Sequence, residues 1–460
     1  MSAPRFAVAA LVAGALAAAL LPGARAGLGL VLVAVALAAA VVLAGRTPHP
    51  ARSTGLGILA LALVCSAALR DAGWVVFGEL AGAVMLGSIA MSAPCHWRAT
   101  ALASVAAVLR MPSGARRVAR SSASGLSAAP TGKALALGRA LVLTGALVAI
   151  FGALFASGDR AFAQLAGDVL PDDVPLGDLP WRLVVGGFVI SLAGGLAQAA
   201  AVADEPGRRP LLRLGRLEWL TALGALNALF ALFVGVQLAV LFGGDDYVRD
   251  TAGLTYAQYA RSSFAQLVVV AVLTLGVVGS ALRWARTERP RDAVLLRVLL
   301  GALCLLTLVV LASALHRLGL YEEAYGFTRL RLAVHALLLF GGALFMLVVV
   351  ALASGRREWL AQATVVLGAL AALAFWVGDP DRRIAAHNVE RYEATGRIDT
   401  YYLSKLSADA VPALVGLPAP LREQALGRQR ARLAGAGDGF AGANRARARA
   451  RDALAAGAGP

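Results

Sequence analysis

Charge is scarce in this chain: Asp, Glu, Lys and Arg make up 15% of its 460 residues, against roughly one quarter in an average soluble domain. So few charges cannot cover a water-exposed surface, which excludes an ordinary soluble globular protein. Cysteine is nearly absent. Cys65, Cys95 and Cys304 fall in an apolar run, a loop and another apolar run, so neither a disulfide framework nor a thiolate metal site is expected. His49, His96, His316, His335 and His387 are far apart and form no H-E-x-x-H pattern. Glycine-rich phosphate loops in a strand-turn-helix setting are missing, and Ser262-Ser263 lacks a G-x-S-x-G elbow. Metal, nucleotide and cofactor binding are therefore not expected, nor is ATP-driven or serine-hydrolase chemistry.

What is present is long apolar sequence. The chain is 59% hydrophobic, with a mean hydropathy of +0.72. A bilayer core near 30 Å takes about 20 apolar residues as helix, and runs of that length recur from Phe6 to Gly378. They lack the alternation of barrel strands, and backbone groups in lipid must pair within their own segment. The expected fold is an all-α, polytopic transmembrane bundle. Its eleven spans are placed at 5–21, 27–45, 54–69, 73–91, 134–156, 181–202, 218–242, 264–284, 293–316, 331–353 and 360–378. Trp97–Leu109 is shorter, is bounded by Arg98 and Arg110, and reads as an interfacial helix. The domain plan is a bundle over 1–378 whose cytoplasmic linker 92–133 includes a flexible Ser, Gly, Ala and basic stretch over 111–133, a docking segment over 379–415, and an Ala, Gly and Arg-rich tail over 416–460. Composition predicts a disordered tail with one short helix near 420–433.

The net charge of +16 sits mostly in short loops, which points to a membrane surface rather than to nucleic acid. Loop 92–133 carries Arg98, Arg110, Arg116, Arg117, Arg120 and Lys133 without an acid, whereas 158–180 carries Asp159, Asp168, Asp172, Asp173 and Asp178 against Arg160. The first belongs in the cytoplasm and the second outside. Eleven spans then give a multi-pass protein with a cytoplasmic N-terminus and an extracytoplasmic C-terminus, although eight arginines between Arg422 and Arg451 pull against that side. Arg5, an apolar stretch and Ala24-Arg25-Ala26 imitate a signal peptide; an uncleaved first helix is the reading preferred.

Ionisable residues in hydrocarbon face a partner, a bundle interior or water. Glu79, Arg331 and His335 lie at similar inferred depth, so Glu79 is expected to pair with His335 or Arg331. Just outside, Tyr321, Glu322, Tyr325 and Arg329 recur at helical spacing, as do Arg261 with its neighbouring tyrosines and Asn388, Arg391 and Tyr392. Aromatic belts, capping and surface ion pairs also account for such patterns. Topology nonetheless brings all three groups to one side, where they are expected to form one surface. The tail segment would dock there through Ile384, Val389, Leu403, Leu406 and Val411, with Glu322 paired to Arg391.

Four runs carry a family resemblance: LTYAQYARSSFAQLVVV from Leu254, LYEEAYGFTRLRL from Leu320, HNVERY from His387 and SKLSADAVPA from Ser404. Together they resemble the bacterial membrane proteins grouped as domain of unknown function 4173, or its relative 4153, over roughly residues 55–415. The resemblance implies a multi-spanning bacterial membrane protein, and the Ala, Gly and Arg richness suits an actinobacterial one; it implies no particular activity. A regulatory or scaffolding role in the envelope, with an outward polar pocket and an envelope protein or lipid as partner, is the leading expectation. A secondary transporter working through Glu79 or His335 is one alternative. An envelope enzyme on a lipid-linked substrate, with Glu322 or Glu323 as base and Arg329 or Arg331 on the headgroup, is another.

Overall fold

A computed structural model describes residues 3–44, 50–92, 97–123, 179–199, 214–242, 256–435 and 438–457, and they are helical almost throughout. The first helices are α1 (Ala3–Leu20), α2 (Leu28–Leu43), α3 (Pro50–Val64), α4 (Ser66–Leu69), α5 (Gly73–Ser92), α6 (Trp97–Leu109) and α7 (Met111–Ala123). After them come α8 (Leu179–Gln198), α9 (Arg216–Phe242), α10 (Tyr256–Trp284), α11 (Pro290–Tyr325), α12 (Arg329–Ser354) and α13 (Leu360–Val377). Among the described residues, seven stretches are long and apolar enough to cross a membrane, with α1, α2, α6 and the second half of α10 shorter but apolar. Every expected span coincides with one of these helices except 134–156, which lies outside the described residues. Large apolar side chains stand on the outer surface, Phe77 76% and Val42 73% exposed, as they do when lipid is the solvent.

Packing divides the bundle into neighbouring cores. In one, α8 lies against α1 and α7, and a Cβ on Gly14 would come 2.9 Å from the Gly186 carbonyl oxygen. One on Gly114 would come 2.3 Å from the Gly194 backbone. Only glycine permits so close a crossing, the usual device where helices associate in lipid. Composition predicted a flexible linker from 111; α7 is instead a helix through Ala123, because this crossing and a 3.1 Å hydrogen bond from Ser113 to Gln198 hold it on α8. A second core joins α3, α5 and α13, and a third joins α9 to α12.

The spans alternate in direction. One end of the bundle carries the α1–α2 turn, the α4–α5 turn, the α11–α12 turn and the end of α13. The opposite end carries Leu43, Ser92, Arg216, Trp284 and Ser354. At about 1.5 Å per residue the 36 residues of α11 extend roughly 54 Å, so its last turns rise beyond a core of about 30 Å.

On that first end sits a helical cap: α14 (Pro380–Thr395), α15 (Thr400–Leu403), α16 (Val411–Leu414), α17 (Ala419–Leu433), α18 (Gly439–Gly442) and α19 (Arg445–Ala456). Ile384, Leu403, Leu406, Val411, Leu414, Leu426 and Ala450 share one core with Phe327 from the α11–α12 turn and Leu332 from the first turn of α12. The core crosses residue 416, so docking segment and tail are one unit. The expected disordered tail is therefore corrected: beyond the helix at 419–433, α19 is also formed. Asn444 caps it by accepting from Ala446 and Arg447 amides at 3.0 and 3.2 Å, and its own amide reaches the Ala67 and Arg70 carbonyls at 2.9 and 2.8 Å.

Candidate functional site

The polar centre of the molecule lies between cap and bundle. Asp381, in the first turn of α14, is wholly buried. Its Oδ1 accepts from Arg329 Nε at 2.9 Å and Trp74 Nε1 at 3.2 Å, and its Oδ2 accepts from Arg329 Nη2 at 2.5 Å and the Ser407 amide at 2.8 Å. Each oxygen has two donors, so the hydrogen-bonding capacity of this buried carboxyl group is met within the protein. The Arg329 amide in turn donates to the Tyr402 hydroxyl at 2.7 Å.

Beside it, Arg70 in the α4–α5 turn donates to Asp379 Oδ2, to the Trp376 carbonyl at 3.0 Å and to the Val377 carbonyl at 2.9 Å. Its Nη1 lies 3.8 Å from Asp409 Oδ1. Asp409 Oδ2 accepts from the Asp71 and Ala72 amides and the Ser407 hydroxyl, at 2.8, 3.0 and 2.8 Å, while its Oδ1 and that of Asp379 have no hydrogen-bond donor. One guanidinium thus serves two buried acids. Burial, and then the Asp379 charge, raises the Asp409 carboxyl to about 6; burial likewise raises Asp379 against the opposing pull of Arg70. Asp379 is also the one described non-glycine residue at positive φ, 54°, a left-handed turn that Asp tolerates better than most side chains.

A third group closes the cap over the N-terminal helices. Arg447, 2% exposed, donates to Asp71 and Asp438 at 2.7 Å each and to the Ala26 carbonyl at 3.0 Å. The Ala408 amide donates to the other Asp71 oxygen at 3.2 Å.

The residues singled out from sequence divide between this network and a second cluster. Arg329 belongs to the network. Glu322, buried at the end of α11, lies 3.6 Å from His335 Nδ1. Arg331 donates to the Gly326 carbonyl and lies 4.3 Å over the Tyr321 ring, which leans on Tyr325 at 4.8 Å. Asn388 donates to the Phe327 carbonyl at 2.9 Å, and Arg391 to the Glu323 and Ala324 carbonyls at 3.1 and 2.7 Å. Arg391 therefore satisfies the open carbonyls at the end of α11, a favourable place for a cation, instead of pairing with Glu322. Tyr392 packs on the cap core. Glu79 stands apart in α5, buried with Oε2 unpartnered: the expected pairing with His335 or Arg331 is replaced by Glu322–His335. The Arg261 side chain lies outside the described residues.

Sequence reasoning did not single out Arg70, Asp71, Trp74, Asp379, Asp381 or Arg447. The available signal was Arg70-Asp71, two opposite charges in the short turn between two apolar runs, and the Asp-Pro-Asp at 379–381 where the last run ends.

Residues 56–417 match the family described as a domain of unknown function, DUF4153, and the chain belongs to that family. Neither the curated proteins nor the solved structures contain a match. The matched span includes Arg70, Asp71, Arg329, Asp379, Asp381 and Asp409, and stops short of Asp438 and Arg447.

Proposed function

We propose that this DUF4153 member is a regulatory or scaffolding protein of a bacterial envelope, and that its working part is the polar face formed where the cap is fixed on the bundle. The observation that carries this reading is Asp381. One buried carboxylate joins Trp74 of α5, Arg329 of α12 and Ser407 of the cap, so the first and last parts of the chain meet in one rigid polar centre. A surface held by forked, desolvated ion pairs is suited to presenting fixed groups to a partner. The exposed arginines of the cap give that surface the charge to meet an acidic envelope protein or lipid headgroup.

Glu79 favours a second reading, secondary transport, because a buried carboxylate oxygen without a partner inside a span is the kind of group that carries protons. Complementation of a deletion strain separates the two. On the scaffolding reading, Asp381→Asn abolishes rescue while Glu79→Gln and Glu322→Gln retain it. Loss of rescue in Glu79→Gln with the cap still protected from hydrogen exchange would transfer the function to transport, and the same loss in Glu322→Gln would favour the envelope enzyme.

A further inference from the structure

Ten buried side-chain atoms among the described residues lack a hydrogen-bond partner, and five of them belong to Ser66, Glu79, Trp376, Asp379 and Asp409. None of these five residues is more than 9% exposed. They follow one another in space. Leu63 Cδ1 lies 3.4 Å from where a Cβ on Gly82 would stand, and Ser53 donates to the Ala90 carbonyl at 2.7 Å, so the span formed by α3 and α4 runs antiparallel to α5 and touches it. Three residues onward from Leu63 and three back from Gly82 are each roughly 4.5 Å towards the cap, which sets Ser66 level with Glu79. Trp376 shares the core of Leu63, Val75 and Ala83, and Arg70 Cζ lies 5.9 Å over its ring. Arg70 in turn holds Asp379 and stands 3.8 Å from Asp409. The unpartnered atoms thus form a column from the polar centre beneath the cap into the α3–α5–α13 core, with Glu79 at its inner end.

The chemistry of this column suits water and a proton. Buried polar atoms are satisfied by protein groups or by ordered water. Here the Trp376 indole is a donor, the carboxyl oxygens are acceptors and the Ser66 hydroxyl is both. Thr307 and Thr364 spend their hydroxyls on the carbonyl one turn back, at 2.7 and 2.9 Å, whereas that of Ser66 is uncommitted. Charges that would hold Glu79 as an anion stand elsewhere. Arg52, Arg98 and Arg182 are near the ends of α3, α6 and α8, Arg70 and Asp71 are in the α4–α5 turn, and α13 has none. Cys65, beside Ser66, is the remaining titratable group near this level.

We infer that Glu79 binds a proton delivered from the cap side along a file of waters held by Ser66, Trp376, Asp379 and Asp409. The proton leaves a hydronium or the Asp409 carboxyl at the cap end. Each water, and the Ser66 hydroxyl, gains one proton as it gives up another, and the last water forms the O–H bond on Glu79 Oε2. The Trp376 N–H orients its water and transfers nothing. This supplies a ligand for the transport reading without resting on it, and it stands equally if the cap scaffolds.

The test is infrared spectroscopy of the full chain in sealed vesicles with the cap outward, the pH of each side set by impermeant buffers. A protonated carboxyl shows a carbonyl band that its ionised form lacks, and loss of that band in Glu79→Gln identifies the one due to Glu79. The band is expected to follow the pH of the cap side and to ignore that of the other. Ser66→Ala should slow its response to a pH step about tenfold, the loss of one hydrogen-bonded link, and Ser66→Thr should restore it. Trp376→Phe should slow the response without changing its final extent. Helicity and cap protection serve as folding controls, and Glu79→Asp, with its carboxyl one methylene short, replaces Glu79→Gln if that variant fails them. A Glu79 band that follows the opposite side, ignores both sides or never forms would overturn the proposal, as would unchanged rates in both Ser66→Ala and Trp376→Phe. None of these failures touches the scaffolding role, which Asp381→Asn reads.

Discussion

Asp381 and Arg329 form a two-point fork across the boundary between cap and bundle, with the carboxylate fully buried and the guanidinium one-third exposed. Removing the charge from Asp381 leaves Arg329, the Trp74 indole and the Ser407 amide with a weaker acceptor. Breaking a buried ion pair from one side costs about 2–5 kcal/mol. In Asp381→Asn, hydrogen exchange of α14 and α16 should accelerate by a hundredfold or more while α12 keeps its protection. Unchanged exchange in the cap would show that the apolar core alone holds it in place.

Arg447 and Asp71 should prove strongly coupled, since each is almost completely buried and the two meet at 2.7 Å. Arg447→Met and Asp71→Asn are each expected to loosen α19, and the double variant to lose less than the two single losses added. The cycle is read from limited proteolysis between α17 and α19. Strict additivity would mean that the two side chains act separately.

The Asp409 carboxyl gives docking a pH dependence of unusual sign. Its value when docked, about 6, exceeds the ordinary 3.8, so the docked state binds more protons than the open one between those values. Stability of the cap is then full below about 4, declines as pH rises, and is lowest above about 6. Asp409→Asn should flatten this decline, measured as cap exchange across the window from about pH 4 to 7. A cap that tightens with rising pH would contradict the assignment.

Gly326 turns the chain from α11 to α12 at φ 78°, and a Cβ there would stand 2.4 Å from Asn388 Oδ1. Gly326→Ala therefore combines an unfavourable backbone with a clash in the cap, at a cost of about 1–3 kcal/mol. The midpoint of thermal cap release should fall. Asn388→Ala in the same chain should recover the part due to the clash and leave the part due to φ.

The arginines at the end opposite the cap, among them Arg283, Arg286, Arg289, Arg291, Arg356 and Arg357, lead to the expectation, by the loop-charge rule, that this end faces the cytoplasm. In a background without Cys65, Cys95 and Cys304, Tyr401→Cys, at a position 64% exposed, should react with an impermeant maleimide added to intact cells. Arg356→Cys should react only after lysis. The reverse pattern would invert the topology.

The spans were legible because hydrocarbon demands a long uninterrupted signal, and α12 is readable from a single window of sequence. The acids of the polar centre emit no such signal. Asp379 and Asp381 look like ordinary helix-start residues beside Pro380, and their partners Arg70 and Trp74 stand more than 300 positions earlier. Arg447 illustrates the limit from the other direction. An Ala-Arg repeat reads as solvated chain when scored by its own composition, yet this arginine is buried because Asp71 and the Ala26 carbonyl lie ready to receive it. Tyr321, Glu322 and Arg391 lie in segments that topology, not spacing, was expected to bring together, and neither could say that Arg391 would take backbone carbonyls and leave Glu322 to His335.

The bond from Arg447 to Asp71 spans 376 positions, which imposes an order on biogenesis. At about 5–20 residues per second, some 20–75 s of synthesis separate the two side chains. Through that interval the turn holding Arg70 and Asp71 exists without the segments that complete it. The nascent bundle thus displays an unfinished acidic notch until α19 emerges, and closure of the notch reports that the intervening helices have been threaded. A chain stalled or mis-inserted midway would leave the notch open, a difference that separates finished molecules from failures.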